Sequence, residues 1–107
     1  MMNQRTCRPP KIGNLISVVK RCLESGRYRR SIHARIREKE RDIDLTDVKY
    51  VLKNGRHEMP KDQFDDVFNA WKYAIRGKTL DGMDVRIVVA FDENIMHIIT
   101  VINVTEG

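Results

Sequence analysis

The hydrophobic period of this chain changes once, near Pro60, and this change constrains the fold more than any other feature. Before Pro60, apolar residues such as Leu15, Val18, Val19 and Cys22 recur at the spacing that places them on one side of a helix. After Pro60, apolar residues alternate with polar ones or form short continuous β-forming runs. Helices followed by strands predict an α+β domain in which N-terminal helices pack on one face of an antiparallel sheet.

Three helices are predicted in the first half of the chain, at residues 14–25, 31–41 and 45–53. Ser31 is the expected N-cap of the second helix, because its hydroxyl can accept a hydrogen bond from a backbone N–H of the first turn. Asp44 or Thr46 caps the third helix, and Gly55 is expected to end it in the left-handed conformation that helix ends favour. Residues 27–30 are expected to be a linker.

The second half of the chain predicts strands at Val67–Arg76, Val85–Phe91 and Ile95–Val104, with a short edge strand within Arg56–Met59. The last two strands are apolar on both faces, which is typical of central strands. Asp92–Asn94 forms the tight turn between them. Helices cover one face of this sheet, so the other face is solvated or binds a ligand. Either the set of side chains containing His97 or the set containing Thr100 lies there, because a β-bulge would exchange the two.

Size and composition predict one domain, residues 1–107, of which residues 1–10 form a loose basic lead-in. No apolar run reaches the length of a membrane span, and Arg5 and Arg8 stand where a signal peptide needs an apolar segment. Cys7 and Cys22 lack the spacing of metal ligands. These features predict a cytoplasmic protein without a cofactor, a metal site or a membrane partner.

The balance of charges favours a phosphate-bearing partner. Lys and Arg number 20 against 15 Asp and Glu, which gives a formal charge of +5. Six arginines fall between Arg27 and Arg41, whereas Asp62, Asp65 and Asp66 form a separate acidic patch. Arginine makes forked contacts with phosphate, so nucleic acid is the leading partner, although an acidic protein or an anionic membrane fits the charge equally well.

The second predicted helix carries a row of cationic and titratable side chains. His33, Arg37 and Arg41 are spaced four apart and stack along one side of the helix. Ile32 and Ile36 lie on a neighbouring side and are expected to be its buried stripe. The alternative is a solvated face in which the glutamates of the same segment pair with its arginines.

These residue types suit RNA cleavage without a metal ion. A base removes the proton of the ribose 2′-hydroxyl, fixed cations stabilise the charge that grows on the phosphate, and an acid protonates the leaving oxygen. The candidate catalytic residues are His33, Arg37, Arg41, Arg76 and His97. The candidate RNA-binding residues are Arg29, Arg30, Arg35, Lys72, Tyr73, Arg86 and Thr100. Two alternatives stay open, since His97 can be a buried hydrogen-bonded histidine and Tyr73 can belong to the core.

Other enzyme classes find less support in the sequence. The serines lack the glycine context of a nucleophile elbow, and there is no P-loop and no GxGxxG. A metal-dependent nuclease needs clustered carboxylates on rigid elements, whereas the acidic patch is expected on a loop or a strand edge. His57 and Glu58, beside a proline, are interpreted as polar loop residues.

A set of residues at defined spacings along the chain resembles the pattern of a known family. The pattern is Ser31-x-His33-x3-Arg37-x3-Arg41-x-Ile43, Asp47-Val48-x3-Leu52-x2-Gly55, Tyr73-x2-Arg76-Gly77, Arg86-Ile-Val-Val-Ala-Phe91 and Ile98-Ile-Thr100-Val101. It resembles a bacterial domain family of unassigned function that is grouped with the RelE-like toxins of type II toxin–antitoxin systems. The front end, Leu15-x2-Val18-x-Lys20-x2-Leu23-x2-Gly26-x2-Arg29, is similar to the opening of the MqsR family of mRNA interferase toxins.

The resemblance implies a RelE-like fold that cleaves RNA without metal on the open side of its sheet. By resemblance, His33, Arg37 and Arg41 match the recurrent helix positions of the first family, and Arg76 and Thr100 match its strand positions. Two departures concern the mechanism. The C-terminal lysine of several RelE-like toxins is absent, and Asp84 stands roughly where MqsR toxins carry a tyrosine. The fold is therefore expected to transfer better than the mechanism.

The sequence thus predicts an endoribonuclease toxin whose partners are mRNA, on the ribosome or free, and a cognate antitoxin protein. The alternative is a non-enzymatic toxin or binding module of the same fold that inhibits a DNA topoisomerase or another partner. An antitoxin or regulator ranks last, because the join between the second and third helices is interpreted as a packed hairpin and no helix-turn-helix pattern is evident.

Overall fold

The computed structural model describes residues 8–104, which form three α-helices and six strands of an α+β domain. The helices are α1 (Leu15–Ser25), α2 (Ile32–Glu40) and α3 (Leu45–Asn54). The strands are β1 (Tyr28–Arg30), β2 (Arg56–His57), β3 (Gln63–Asp65), β4 (Ala70–Lys78), β5 (Asp84–Asp92) and β6 (Ile95–Asn103). The predicted class and the order of helices before the main strands are confirmed.

Helices α2 and α3 begin after the N-cap residues that the sequence predicts. The Ser31 hydroxyl accepts a hydrogen bond from the Ala34 N–H at 2.9 Å. Asp44 accepts from the Asp47 N–H at 2.9 Å, and the Asp47 carboxylate accepts from the Asp44 N–H at 3.2 Å. This reciprocal arrangement satisfies two N–H groups at the start of α3, and it selects Asp44 over the other candidate cap.

The prediction of a left-handed Gly55 is wrong. Gly55 has φ −81° and ψ −171°, which is extended backbone that any residue can adopt. The position needs glycine because a Cβ there would lie 2.6 Å from the carbonyl oxygens of both Arg76 and Val51. The end of α3 therefore approaches β4 too closely for a side chain.

The sheet has the strand order β1-β6-β5-β4-β2, and β3 pairs with the first part of β4. All pairs are antiparallel except β1 and β6, which are parallel. The predicted edge strand is confirmed as β2, whereas the predicted linker at residues 27–30 contains β1. Strand β1 is not predicted from the sequence, because three residues are too few to show an alternating apolar pattern. Its extended conformation depends on its pairing with β6.

Strand β4 begins at Ala70 rather than at Val67. The Asp65 carboxylate accepts hydrogen bonds from the N–H groups of Val67 and Phe68, at 2.9 and 3.2 Å, and so folds this segment into a turn. The apolar side chains of Val67 and Phe68 extend the apparent β pattern, but both are exposed. A local side-chain turn here overrides the β pattern of the neighbouring residues.

The core lies between the helices and one face of the sheet. On the sheet it consists of Tyr73 and Ile75 of β4, Val85, Ile87 and Val89 of β5, and Met96, Ile98 and Val101 of β6. Helices α1 and α3 contribute Leu15, Val19, Cys22, Leu23, Val48, Val51 and Leu52. The central position of β5 and β6 is confirmed by the strand order.

The prediction that Ile32 and Ile36 form the buried stripe of α2 is wrong. Their side chains are 76% and 49% exposed, and Ala34 and Glu38 are buried instead. The start of the helix decides this rotation, because the Ser31 N–H donates to the Ile98 carbonyl and the Ser31 hydroxyl donates to the next carbonyl of β6. The small Ala34 side chain then faces the sheet.

A β-bulge decides which side chains of β6 share a face. The register shifts between Val88 and Val89, where Val88 pairs with Thr100 and Val89 pairs with Ile98. One residue of β6 therefore has no partner in the ladder. His97 and Thr100, which simple alternation would separate, consequently lie on the same face of the sheet.

The lead-in is docked where the structure describes it. Residues 1–7 of the predicted loose segment lie outside the described residues. The Trp71 indole N–H donates to the Pro9 carbonyl at 2.8 Å, and the Ile12 N–H donates to the Tyr73 hydroxyl at 3.0 Å. Lys11 forms an ion pair with the fully buried Asp62 carboxylate at 3.0 Å. These contacts close one end of the core.

Across residues 8–104, every helix is too short or too polar to span a bilayer.

Candidate nucleic-acid interface

The sheet face opposite the core carries most of the predicted strand residues. We call it the open face, and it comprises Arg29, Lys72, Ala74, Arg76, Arg86, Val88, Ala90, His97 and Thr100. The register assigns these residues to one face, because Arg29 pairs with His97, His97 with Ala90, Thr100 with Val88, and Arg86 with Arg76. Apart from Ala74, these side chains stay partly or fully exposed.

His97 and Arg29 are neighbours across the β1–β6 pair. Parallel partners point to the same side, so the imidazole and the guanidinium emerge side by side on the open face. The His97 side chain is partly exposed, and its imidazole makes no hydrogen bond to another residue of the segment 8–104. Of the two predicted alternatives for His97, the buried and hydrogen-bonded one does not match this position.

A cleft of about 520 Å³ adjoins His97 on the open face. Its lining includes Lys72, Ser31 and the exposed Phe68, together with the carboxylates of Asp65 and Asp92. Lys72 forms an ion pair with Asp65 at 3.3 Å. The cleft therefore combines one imidazole, one ammonium group, acceptor oxygens and two aromatic rings, those of Phe68 and Phe91.

Arg76 and Arg86 form a closed ionic network at the other end of the open face. Arg76 makes two 2.8 Å hydrogen bonds to Asp84 and one of 2.9 Å to Glu58, and Arg86 donates to Glu58 at 2.6 and 3.3 Å. Two guanidinium groups thus face two carboxylates. A phosphate group at these arginines would meet the negative charges of Glu58 and Asp84.

The network shifts the ionisation of its carboxylates. Hydrogen bonds from Arg86, and then from Arg76, lower the pKa of Glu58 below its usual range. The pKa of Asp84 is also lowered, mainly by the hydrogen bonds from Arg76. The pKa of Arg76 is raised in turn by its bonds to Asp84 and Glu58. Each partner therefore favours the charged form of the other.

Two members of the predicted helical row, His33 and Arg37, are neighbours on α2, whereas Arg41 is the C-cap residue after the helix, and the three lie apart from the cleft. Arg37 donates from Nε to His33 Nε2 at 3.5 Å and forms an ion pair with Glu40 at 3.1 Å. Within residues 8–104, the buried Nε of Arg41 has no hydrogen-bond partner. None of His33, Arg37 and Arg41 lines the cleft. The spacing predicted their alignment, while their relation to the sheet depends on the rotation of α2.

The remaining predicted residues divide between core and surface. Tyr73 is 4% exposed and packs in the core, which matches the alternative given for it and removes it from the open face. Arg30 forms a 2.6 Å ion pair with the buried Glu38, on the core side of β1. Arg35 is exposed on α2. Tyr73 and Arg30 therefore cannot contact RNA on the open face.

Sequence reasoning missed two residues near this face. Glu58 was interpreted as loop polarity, yet its carboxylate bridges Arg76 and Arg86. Phe68 was placed inside a strand, yet it stands on the turn before β4. The Asp65 to Asn69 segment contains a turn signal that could have separated Phe68 from the strand. No local signal predicts the partners of Glu58, which are 18 and 28 residues away.

Comparison with known proteins gives one match. A family model described as Domain of unknown function (DUF4258) matches residues 30–103. That range runs from the end of β1 to the end of β6, and it includes α2, the cleft and all residues named for the open face except Arg29. Neither the curated proteins nor the solved structures gave a match.

Proposed function

The chain belongs to the family described as Domain of unknown function (DUF4258), and we propose that it is a RelE-like toxin of a type II toxin–antitoxin system that cleaves mRNA without a metal ion. The observation that carries the proposal is His97, which lines the cleft, with Arg29 as its neighbour across the β1–β6 pair. An imidazole that can accept and donate a proton and a phosphate-binding guanidinium are the two groups this reaction needs most. The cognate antitoxin is the protein partner in this proposal.

The proposed reaction is a transesterification at one phosphodiester. His97 takes the proton of the ribose 2′-hydroxyl, and the 2′ oxygen bonds to phosphorus while the bond from phosphorus to the 5′ oxygen breaks. Arg29 stabilises the charge on the non-bridging oxygens, and the Lys72 ammonium group gives a proton to the leaving 5′ oxygen. The products are a 2′,3′-cyclic phosphate and a 5′-hydroxyl, and proton exchange with water restores both side chains.

The helical row serves binding in this proposal. His33 and Arg37 do not line the cleft, and in this proposal they bind phosphates of the same strand away from the cleavage point. Arg76 and Arg86 hold the far end of the sheet together through Glu58. The proton carrier is therefore His97, with His33 as the competing candidate.

The test is inducible expression in a bacterial host, with growth scored and new RNA 5′ ends mapped. The wild type should arrest growth and create 5′-hydroxyl ends, which are ligated to an adaptor only after phosphorylation. His97→Ala should lower the cleavage rate of the purified protein about 10²- to 10⁴-fold, the usual contribution of a general base, and cleavage should persist in EDTA. Arg21→Ala, an exposed arginine of α1 on the core side, is the matched control.

Three outcomes would revise the assignment. Full cleavage by His97→Ala with loss in His33→Ala would move the proton carrier to α2. Cleavage abolished by EDTA would contradict the metal-independent mechanism. Growth arrest with intact RNA would favour a non-enzymatic toxin of the same fold, acting on a DNA topoisomerase or another partner. The neutralised Arg76–Arg86 network favours this second candidate, because it leaves fewer cations for the transition state.

A further inference from the structure

Phe68 is a large aromatic side chain that stands outside the core at the edge of the cleft. It is 78% exposed and lines the same cleft as His97 and Lys72. Single exposed apolar residues are common on protein surfaces, so exposure alone decides nothing. The position of Phe68 beside the proposed reaction site makes its exposure informative.

The backbone holds Phe68 in place although its side chain is not packed. The Asp65 carboxylate accepts from the N–H groups of Val67 and Phe68, and its second oxygen forms the ion pair with Lys72. Asn69 then takes φ 53°, which returns the chain into β4. The turn is thus fixed by the same carboxylate that positions a cation of the cleft.

The chemistry of the cleft fits a nucleobase better than a phosphate group alone. Asp65 and Asp92 line it. The Asp65 carboxylate already accepts from two N–H groups and pairs with Lys72, so the Asp92 carboxylate is the acceptor for the amino group of a base. A volume of about 520 Å³ lies within the usual range of about 300–1,000 Å³ for small-ligand pockets. An aromatic ring beside such acceptors is the typical means of holding an unpaired base.

We infer that Phe68 is a stacking platform for one base of single-stranded RNA, next to the phosphodiester that His97 and Arg29 act on. This inference rests on the proposed function and deepens it, because it specifies an unpaired strand as substrate. A base inside a duplex is stacked on its neighbours and cannot lie on Phe68. The substrate class is therefore single-stranded mRNA, with one base withdrawn into the cleft.

The test measures the binding of a fluorescently labelled single-stranded RNA oligonucleotide, with non-cleavable 2′-O-methyl riboses, to the full chain. Phe68→Leu should weaken binding about 5- to 150-fold, which is the usual cost of losing one stacking contact. Phe68→Trp should keep the affinity, because it retains a stacking surface. Val67→Ala is the matched control, since Val67 is exposed on the same turn but does not line the cleft.

An abasic oligonucleotide of the same length separates stacking from charge. Phe68→Leu and the wild type should bind this backbone equally, because it offers no ring. An unchanged affinity of Phe68→Leu for the RNA, or an equal loss on both oligonucleotides, would overturn the inference. If cleavage still depended on His97 in that case, the proposed function would stand without it. Failure of the wild type to bind either oligonucleotide would overturn both.

Discussion

At the scale of single residues, the open face contains two kinds of arginine. Arg29 makes no ion pair with another residue of the described segment 8–104, whereas Arg76 and Arg86 share Glu58. Both kinds look alike in a sequence, because their partners come from distant parts of the chain. A phosphate bound by Arg29 does not have to compete with a carboxylate partner, so cleavage is expected to depend on Arg29 more than on Arg76.

The Glu58 network makes stability depend on pH in a defined direction. The pKa values of Glu58 and Asp84 are lowered in the folded chain, so both groups stabilise it above their unfolded pKa values of 4.5 and 3.8. This stabilisation is lost as the pH falls through the lower folded values. Urea unfolding of the wild type should therefore show a falling free energy of unfolding between about pH 5 and pH 3.

Glu58→Gln is the variant that tests this assignment. It removes one titrating carboxylate but keeps an amide oxygen that can accept from Arg86. Its free energy of unfolding should be lower than that of the wild type at pH 7, and it should decline less steeply towards pH 3. Equal slopes for the two proteins would show that Glu58 does not carry the pH dependence.

At the scale of elements, contacts made by the helix ends place the helices on the sheet. Ser31 links the start of α2 to β6 through its N–H and its hydroxyl, and it also caps the helix. Gly55 lets the end of α3 pass against the backbone of β4. The rotation of α2, and with it the exposure of the helical row, follows from these junctions.

Gly55→Ala should destabilise the fold by about 1–3 kcal/mol, the usual cost of overpacking. The added Cβ would lie 2.6 Å from two backbone carbonyl oxygens, which belong to different elements and cannot move aside cheaply. Chemical denaturation measures the change. Gly13→Ala is the matched control, because a Cβ at that position meets no atom within 4 Å. Similar costs for both variants would contradict the close approach.

Ser31→Ala should cost about 0.5–2 kcal/mol, because it removes the cap of α2. It also removes the hydrogen bond to the Ile99 carbonyl at 2.8 Å. Ser25→Ala is the control, since the Ser25 hydroxyl bonds to a carbonyl of its own exposed helix turn. A smaller loss for Ser31 than for Ser25 in urea unfolding would show that α2 is not anchored there.

At the scale of the whole molecule, the sheet separates a packed side from an open side. Strand β1 and helix α2 lie along one edge of the sheet, and β2 and β3 lie along the other. The formal charge of +5 is spread over both sides, so the charge alone does not locate an RNA site. The topology leaves the open face uncovered by α1 and α3, so the proposed RNA site is assigned to that face.

RNA binding should therefore depend on salt through the open face. Neutralising Arg29 by Arg29→Gln should reduce the slope of log K against log salt concentration by about 0.7, the value for one phosphate contact on a single strand. Arg21→Gln removes the same charge from α1 on the core side and should leave the slope unchanged. Equal reductions in a titration from low to high salt would mean that binding follows net charge rather than this face.

Interactions between residues that are close in the sequence determine much of the fold. The apolar period of α1 and α3, the caps at Ser31 and Asp44, and the turn between β5 and β6 were predictable because each depends on residues close in sequence. The hairpin turn confirms this, since Glu93 and Asn94 both adopt the positive φ that a two-residue turn requires. The types of residue in the candidate site could also be identified from the sequence.

The arrangement of the candidate site was decided by the tertiary structure. The bulge at Val88 brings His97 and Thr100 to one face, and β1 places Arg29 beside His97. The burial of Ala34 instead of Ile32 turns α2, and Glu58 neutralises two arginines of the open face. Each of these results depends on hydrogen bonds or ion pairs between residues far apart in the chain. A sequence fixes which groups are available, but the pairing of distant strands decides which of them meet.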